Sequence, residues 1–244
     1  MADKLLRVED LSISFSGIKA VQHLNFELEQ GEFVALIGPN GSGKSTTINM
    51  ISGTYKPDGG KIWFDGKLLS NKDTIAQRSH LGIGRTFQTP KPFGNLTVYD
   101  NVYAICLQKY DFKTSHKKTQ EILEMSSLMD LAQVPSSKLS IEKRKWMDLA
   151  RVLATEPKLI MMDEVMAGLN PNEMLSSLDY VREINRRGIT ILFVEHVMRA
   201  VVSVCTRAIV LNEGKFLYEG TPTDALNDPT VIAAYIGGGH KNDA

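Results

Sequence analysis

The sequence predicts an α/β fold: a parallel-sheet core, an N-terminal antiparallel β subdomain and an α-helical subdomain inserted into the core. Three observations predict it. Apolar runs at 33–37, 159–162, 189–194 and 208–211 have the length of buried parallel strands and alternate with stretches of helical period. Residues 4–28 instead alternate apolar with polar side chains, the period of half-buried strands. From about 97 to 155 the period is helical throughout, so the α/β alternation is interrupted by an all-helical insert.

The elements follow in order. Leu5, Leu6 and Val8, then Leu11, Ile13 and Phe15, then Leu24, Phe26 and Leu28 mark the first strands, which close at Gln30-Gly31. Phe33, Val34, Ala35, Leu36 and Ile37 form a buried strand, and Thr47, Ile48, Asn49, Met50 and Ile51 open a helix after it. Pro57-Asp58-Gly59-Gly60 and Asp65-Gly66 bracket a short hairpin strand at 61–64. A strand is expected at 82–87. Thr97 with Asp100 three residues on reads as a capping box, with Val98, Val102 and Ile105 facing inward. A second helix is expected at 115–131 and a third from Ser140 to Ala154, where Trp146, Leu149 and Leu153 read as core. Then come a strand at 159–162, a helix after Pro171, a strand at 189–194, a helix from His196 and a strand at 208–211. The plan is one domain over 1–244, with core segments 1–88 and 156–236, a helical subdomain at 89–155 and a flexible glycine-rich tail at 237–244.

Bulk properties exclude several classes. With 28 basic and 28 acidic residues there is no global field to attract nucleic acid or an anionic membrane. The cluster Lys143-Arg144-Lys145 at a helix start reads as a solvated face. Cys106 and Cys205 are too far apart for metal-ligand spacing and read as buried thiols in a reducing compartment. The N-terminus lacks a signal-peptide apolar region, and no apolar run approaches the roughly 20 residues that span a bilayer. The expectation is a cytoplasmic chain that reaches a membrane only through a partner.

Residues 38–46 read GPNGSGKST, a full match to G-x-x-x-x-G-K-[S/T] between a strand and a helix. Gly38, Gly41 and Gly43 let the backbone curl until the N–H groups of the loop, through Asn40, Ser42 and Thr46, turn toward phosphate oxygens. The helix opening at Lys44 adds the positive end of its dipole. Lys44 supplies a charge at the β- and γ-phosphates, and the Ser45 hydroxyl is placed to ligate Mg²⁺. The loop predicts a bound nucleoside triphosphate.

The second half of the site is read from strand ends. The run 159–162 ends in Asp163-Glu164, at the edge where open α/β sheets bind ligands. Asp163 would hold Mg²⁺ directly or through water, and Glu164 would orient or deprotonate the attacking water. His196 follows a second apolar strand and should emerge at the same edge, its imidazole donating to the γ-phosphate. Gln88 closes the strand at 82–87, where an amide can contact Mg²⁺ or the water; a capped strand end is the other reading. Phe15, before Ser16-Gly17, either stacks on an adenine ring or is a core aromatic.

These residues in this order resemble the ATP-binding-cassette (ABC) ATPases over essentially the whole chain. GPNGSGKST, Gln88 in RTFQTP, the helical insert, Asp163-Glu164, Gly168-Leu169-Asn170-Pro171 and His196 fall in family order. Within the family, GIGRTFQTPKPFGNLTVYDNV, AGLNPNE, VEH and AAYIGG are similar to the ATPases of branched-chain amino-acid importers. The resemblance implies a P-loop NTPase that hydrolyses ATP with Mg²⁺. It implies a second ATPase subunit as partner, two transmembrane permease subunits, and indirectly an external solute-binding protein. It places the chain peripherally on the inner face of the cell membrane, with no nucleic acid involved. Each nucleotide would lie between one chain's phosphate loop and its partner's signature helix, and the segment from Gln88 to Asn101 would grip the membrane subunit.

One departure stands out. The family signature reads LSGGQ, whereas this chain has Leu139-Ser140-Ile141-Glu142-Lys143. Ser140 keeps the N-cap. Ile141 and Glu142 replace glycines that allow close backbone approach, and a carboxylate beside a triphosphate is repulsive unless Lys143 or Arg144 offsets it. Val165 stands where the family usually has proline. The altered signature motivates an alternative: a nucleotide-gated regulatory subunit that binds ATP and dimerises with little hydrolysis. Intact Asp163, Glu164 and His196 argue against it. A third reading is a soluble cassette protein acting on ribosomes or DNA; those usually carry two cassettes or a long coiled-coil insert, and neither is read in this sequence.

Overall fold

The computed structural model describes residues 4–87 and 89–237. Two long strands, β1 (Lys4–Phe15) and β2 (Ile18–Glu29), pair antiparallel. β3 (Phe33–Ile37) leads through the glycine-rich loop into α1 (Lys44–Ile51). β4 (Gly59–Phe64) and β5 (Lys67–Leu68) form the expected hairpin around Asp65-Gly66, and β4 also pairs with β1. The described strands of this antiparallel sheet run β2-β1-β4-β5. Next come α2 (Ile75–His80), β6 (Ile83–Arg85), α3 (Val98–Cys106), α4 (Phe112–Met125) and α5 (Ile141–Leu153). β7 (Leu159–Asp163), α6 (Pro171–Arg186), β8 (Thr190–Val194), α7 (Met198–Val204) and β9 (Arg207–Asn212) restore the α/β alternation. β10 (Lys215–Gly220), α8 (Pro222–Asn227) and α9 (Pro229–Gly237) end the described chain.

The second sheet runs β10-β9-β3-β8-β7-β6 and is parallel except for β10, which turns back antiparallel on β9. Its central strands are buried along their whole length because both faces are covered. Val34, Leu36, Met161, Leu192 and Val194 point toward the antiparallel sheet and α1, joining Leu6, Leu24, Ile48 and Ile51. Ala35, Ile37, Ile160, Met162 and Phe193 point the other way, onto a core built with Val102, Trp146, Leu178 and Val181 of the helices. Alternate residues of one strand therefore serve two different cores.

Local chemistry accounts for most boundaries. The Thr97–Asp100 capping box forms as expected, and a second one, Asn170 with Glu173, opens α6 with Pro171 at its first position. Trp146 is core and its indole N–H donates to Ser177 Oγ at 2.8 Å. Both cysteines are buried free thiols. Three expectations need correction. The helix expected at 115–131 starts earlier, because Asp111 caps the N–H of Thr114 at 2.9 Å. It also ends at Met125, where Ser127 takes a left-handed φ of 50° before a short 3₁₀ turn. The helix expected from His196 begins only at Met198. The strand expected at 82–87 is only Ile83–Arg85, since Gly82 has φ 103° and belongs to the preceding turn. The flexible tail expected at 237–244 lies outside the described residues apart from Gly237, which ends α9.

Between β6 and α3 the described residues from 89 to 97 are irregular, and one buried amide serves several of their backbone groups. Asn101 is fully buried; its Nδ2 donates to Thr97 O at 2.9 Å and Phe93 O at 3.2 Å, and its Oδ1 accepts from Phe93 N at 2.9 Å. A loop whose backbone groups are satisfied by a buried side chain is shaped rather than floppy. Among the described residues no helix is long and apolar enough to cross a membrane.

Candidate functional site

The C-terminal ends of β3, β7 and β8 deliver the predicted residues to one place. The loop after β3 requires glycine at both ends. Gly38 has φ 149° and a side chain there would meet Leu211 O at 2.1 Å; Gly43 has φ 100° and would meet Ala20 O at 2.7 Å. The loop is thus pressed against neighbouring backbone, which aims its interior at solvent. A cavity of about 280 Å³ opens there, lined by Asn40, Ser42, Lys44, Ser45, Glu164 and His196, with Gly41, Gly43 and Thr46 completing the loop.

Lys44 is buried, and its ammonium donates to the carbonyls of Gly38 at 2.8 Å and Pro39 at 2.9 Å. Burial lowers its pKa, opposed by the charges of Glu164 and Asp163. The Ser45 hydroxyl donates to Asp163 Oδ1 at 3.4 Å. Burial raises the pKa of Asp163, while Arg85, with Nη2 at 3.4 Å from Oδ2, works against the rise. Arg85 also donates to Asn49 of α1, which ties the acid, β6 and the helix after the loop into one unit.

Glu164 has a left-handed φ of 52°, and its N–H donates to Val194 O at 2.9 Å. This sharp turn off β7 swings the carboxylate toward the end of β8, where His196 Nε2 lies 2.9 Å from Glu164 Oε1. The acid and the imidazole, 32 residues apart in sequence, form one hydrogen-bonded pair on the cavity wall. The donor set suits a hard divalent cation bound with a polyphosphate: a hydroxyl and a carboxylate at hydrogen-bond distance from each other, and no cluster of three or more His, Cys, Asp and Glu forming a closed cage among the described residues. The arrangement can hold a triphosphate in a curled amide loop, balance its charge, and present a carboxylate to a water in line with the terminal phosphate.

Other predicted residues fall elsewhere. Gln88 lies outside the described residues. Phe15 is not a core aromatic: it is 42% exposed at the end of β1, edge-on to Tyr55 with centroids 5.1 Å apart, and does not line the cavity. Ser140, Ile141 and Glu142 do not line the chain's own cavity either. Ser140 caps α5 through the N–H of Lys143 at 3.2 Å, and Ile141 is exposed. The Glu142 carboxylate is tucked in and lies 3.7 Å from Lys143 Nζ, itself 3.5 Å over the Trp146 ring. Lys143 is therefore the offsetting charge, whereas Arg144 is spent on the carbonyls of Ser137 and Leu139. Lys145, read as part of a solvated face, is instead half-buried, its ammonium donating to the carbonyls of Val165 and Ala167. Two residues were missed in the sequence: Arg85 and the buried acid Glu195 beside His196. Their only signal was position next to a recognised motif.

Comparison with known proteins identifies the family. Residues 21–167 match the family model described as ABC transporter, and residues 219–241 match the model for branched-chain amino acid ATP-binding cassette transporters. The chain is 35% identical to the high-affinity branched-chain amino acid transport ATP-binding protein LivG of Escherichia coli K12, over 97% of this chain and 99% of that one. It is also 32% identical to the lipopolysaccharide export system ATP-binding protein LptB of Haemophilus influenzae, over 96% and 97% of the two chains. A crystal structure of the ADP conformation of an ATP-binding cassette of an ABC transporter superposes with a TM-score of 0.86 at 33% identity, covering 96% of this chain and 99% of that one.

Proposed function

The chain belongs to the ABC transporter ATP-binding family, and on that premise we propose that it energises import of branched-chain or closely related amino acids. It is an ATPase, converting ATP and water to ADP and phosphate in step with transport. The observation that carries the proposal is the gathering of Lys44, Ser45, Asp163, Glu164 and His196 on a chain whose C-terminal segment matches the branched-chain importer model. The likeness to LptB, whose cargo differs, makes the solute the part most in need of test.

In this reading the loop amides and the start of α1 cradle the phosphates, and the Lys44 ammonium leaves the carbonyls of Gly38 and Pro39 for the β- and γ-phosphates. Ser45 and Asp163, with Gln88, would hold Mg²⁺, which when bound would offset the negative charge of the phosphates. Glu164 orients and deprotonates the water, and His196 steadies both the carboxylate and the γ-phosphate. Phe15 is the adenine platform. Two such cassettes pair around ATP on the cytoplasmic side of two membrane subunits, with an external binding protein delivering solute. Removing this chain from its cell is expected to abolish uptake of labelled leucine, isoleucine and valine while sparing an unrelated solute. Unimpaired uptake of all three would overturn the assigned cargo.

The altered signature favours a sister cassette as the second subunit, because Ile141 fills space the glycine backbone would leave open and Glu142 brings a carboxylate. In the purified chain, Ile141→Gly with Glu142→Gly is expected to raise ATP-dependent self-dimerisation and turnover by about tenfold, the equivalent of roughly 1.4 kcal/mol of relieved repulsion and crowding. Gel filtration with MgATP and phosphate release read both. Self-dimerisation and turnover by the natural chain as strong as the variant's would show the natural signature competent and would favour a homodimeric motor.

A further inference from the structure

The loops that carry Glu164 and His196 meet on a third acid. Glu195, between the end of β8 and His196, is 2% exposed. Its Oε1 accepts the N–H of Met166 at 2.7 Å, and its Oε2 accepts the N–H of His196 at 3.3 Å. Met166 lies two residues beyond Glu164 on the loop from β7 to α6. One carboxylate thus bonds to both loops. Burial pushes its pKa up to about 7, opposed by the two amides and by Lys145.

The ionisable groups facing it come from three elements: Lys145 of α5, Glu164 of the β7–α6 loop, and Cys205 at the end of α7. Lys145 also donates to Val165 O at 2.9 Å and to Ala167 O. The same loop is therefore held a second time, from the helical insert.

A buried carboxylate opposes folding by several kcal/mol unless its lone pairs are met and its charge is balanced. An apolar residue would avoid that penalty. What an ionised carboxylate alone provides here is two acceptors at a fixed spacing, each opposite a backbone N–H. An amide side chain has one acceptor and one NH₂, so one of the two N–H groups would face another donor.

We infer that Glu195 is a positioning residue for hydrolysis: it clamps the loop of Glu164 to the loop of His196 through the amides of Met166 and His196. The inference rests on the roles proposed above for Glu164 and His196. The clamp sets the alignment of the acid–imidazole pair, and neither of its two bonds goes to the loop at 38–46. Misplacing a reacting group by about 1 Å costs around 10²-fold in rate, so the effect belongs in turnover and not in nucleotide binding.

The test measures kcat and KM for MgATP, together with thermal melting, in the complete chain and its Glu195→Gln, Glu195→Asp and Glu164→Gln variants. Glu195→Gln is expected to lower kcat about 10- to 100-fold, with KM and Tm close to wild type. An unchanged kcat in the folded variant overturns the inference. So does a loss of kcat that is matched by a higher KM and a lower Tm, the mark of a merely structural role. If the glutamine variant does not fold, the same split is read on Glu195→Asp, which keeps both acceptors but draws them back by one methylene. Failure of both to fold also overturns it, because the carboxylate would then hold the fold and not the site. Full turnover in Glu164→Gln would overturn the roles of the pair; an inactive Glu164→Gln beside an unimpaired Glu195→Gln would overturn the clamp alone.

Discussion

Glu164→Gln is expected to cut ATP hydrolysis about 10²–10⁴-fold, the range for loss of a positioned general base, while leaving MgATP bound and the ATP-bound dimer accumulating. The physical case is narrow. Glutamine is isosteric, so the left-handed turn at residue 164, the backbone bond to Val194 O and a hydrogen bond to His196 Nε2 can all persist. What disappears is the charge proposed to accept a proton from water. The same charge repels a triphosphate in the cavity that it lines together with Lys44 and Ser45. Its loss therefore removes chemistry and strengthens binding at once. Single-turnover phosphate release and gel filtration with MgATP read the two effects separately. Unchanged turnover would remove Glu164 from the base role, and lost turnover without a trapped dimer would show that residue 164 does not control dimer release.

Lys44→Ala is expected to fail earlier, at binding. The ammonium is the one cation among the described residues lining the phosphate cavity, apart from any charge His196 carries. Asp163 and Glu164 are close enough that both raise its pKa against burial. Without it, both carboxylates face an incoming triphosphate, with Arg85 left to offset Asp163 alone. Truncating one partner of a desolvated charge pair costs roughly 2–5 kcal/mol, so the Kd for MgATP should rise about 30- to several-thousand-fold. The fold should survive, because the closest bonds Lys44 makes within the loop are to carbonyls that water can satisfy in its place. Equilibrium binding of a fluorescent ATP analogue, with a melting curve as control, measures this. Near-normal affinity would mean that the loop amides and helix dipole suffice.

The two variants separate the halves of the site, and those halves differed in how readable they were. The phosphate loop was legible residue by residue because its function is local. The glycines act through backbone geometry and the lysine and serine through their side chains, all within nine consecutive positions, and the flanking strand and helix announce themselves by period. The capping box at Thr97 and the fully buried strands β7 and β8 were legible for the same reason. Asp163, Glu164 and His196 could be nominated from strand ends, since parallel strands finish at a common edge. Their pairing could not be.

Sequence by itself determined the α/β class, the phosphate loop, the order of the elements and the identity of the charged strand ends. Each of these depends on neighbours within a few residues, where backbone sterics and period act directly. Only tertiary structure decided what happens across the sheet. The antiparallel return of β10 depends on β9 being available as a partner. Beside the break at Ser127, the hydroxyl of Ser126 lies 2.6 Å from that of Tyr180, 54 residues further along the chain. The Arg85–Asp163 ion pair and the bond between Glu164 and His196 join separate strands. Glu195 is the sharpest case. In sequence it is one more acid before a histidine; in the fold it is buried, and burial leaves a carboxylate no water to satisfy it, so it must bond to whatever amides the neighbouring loops present.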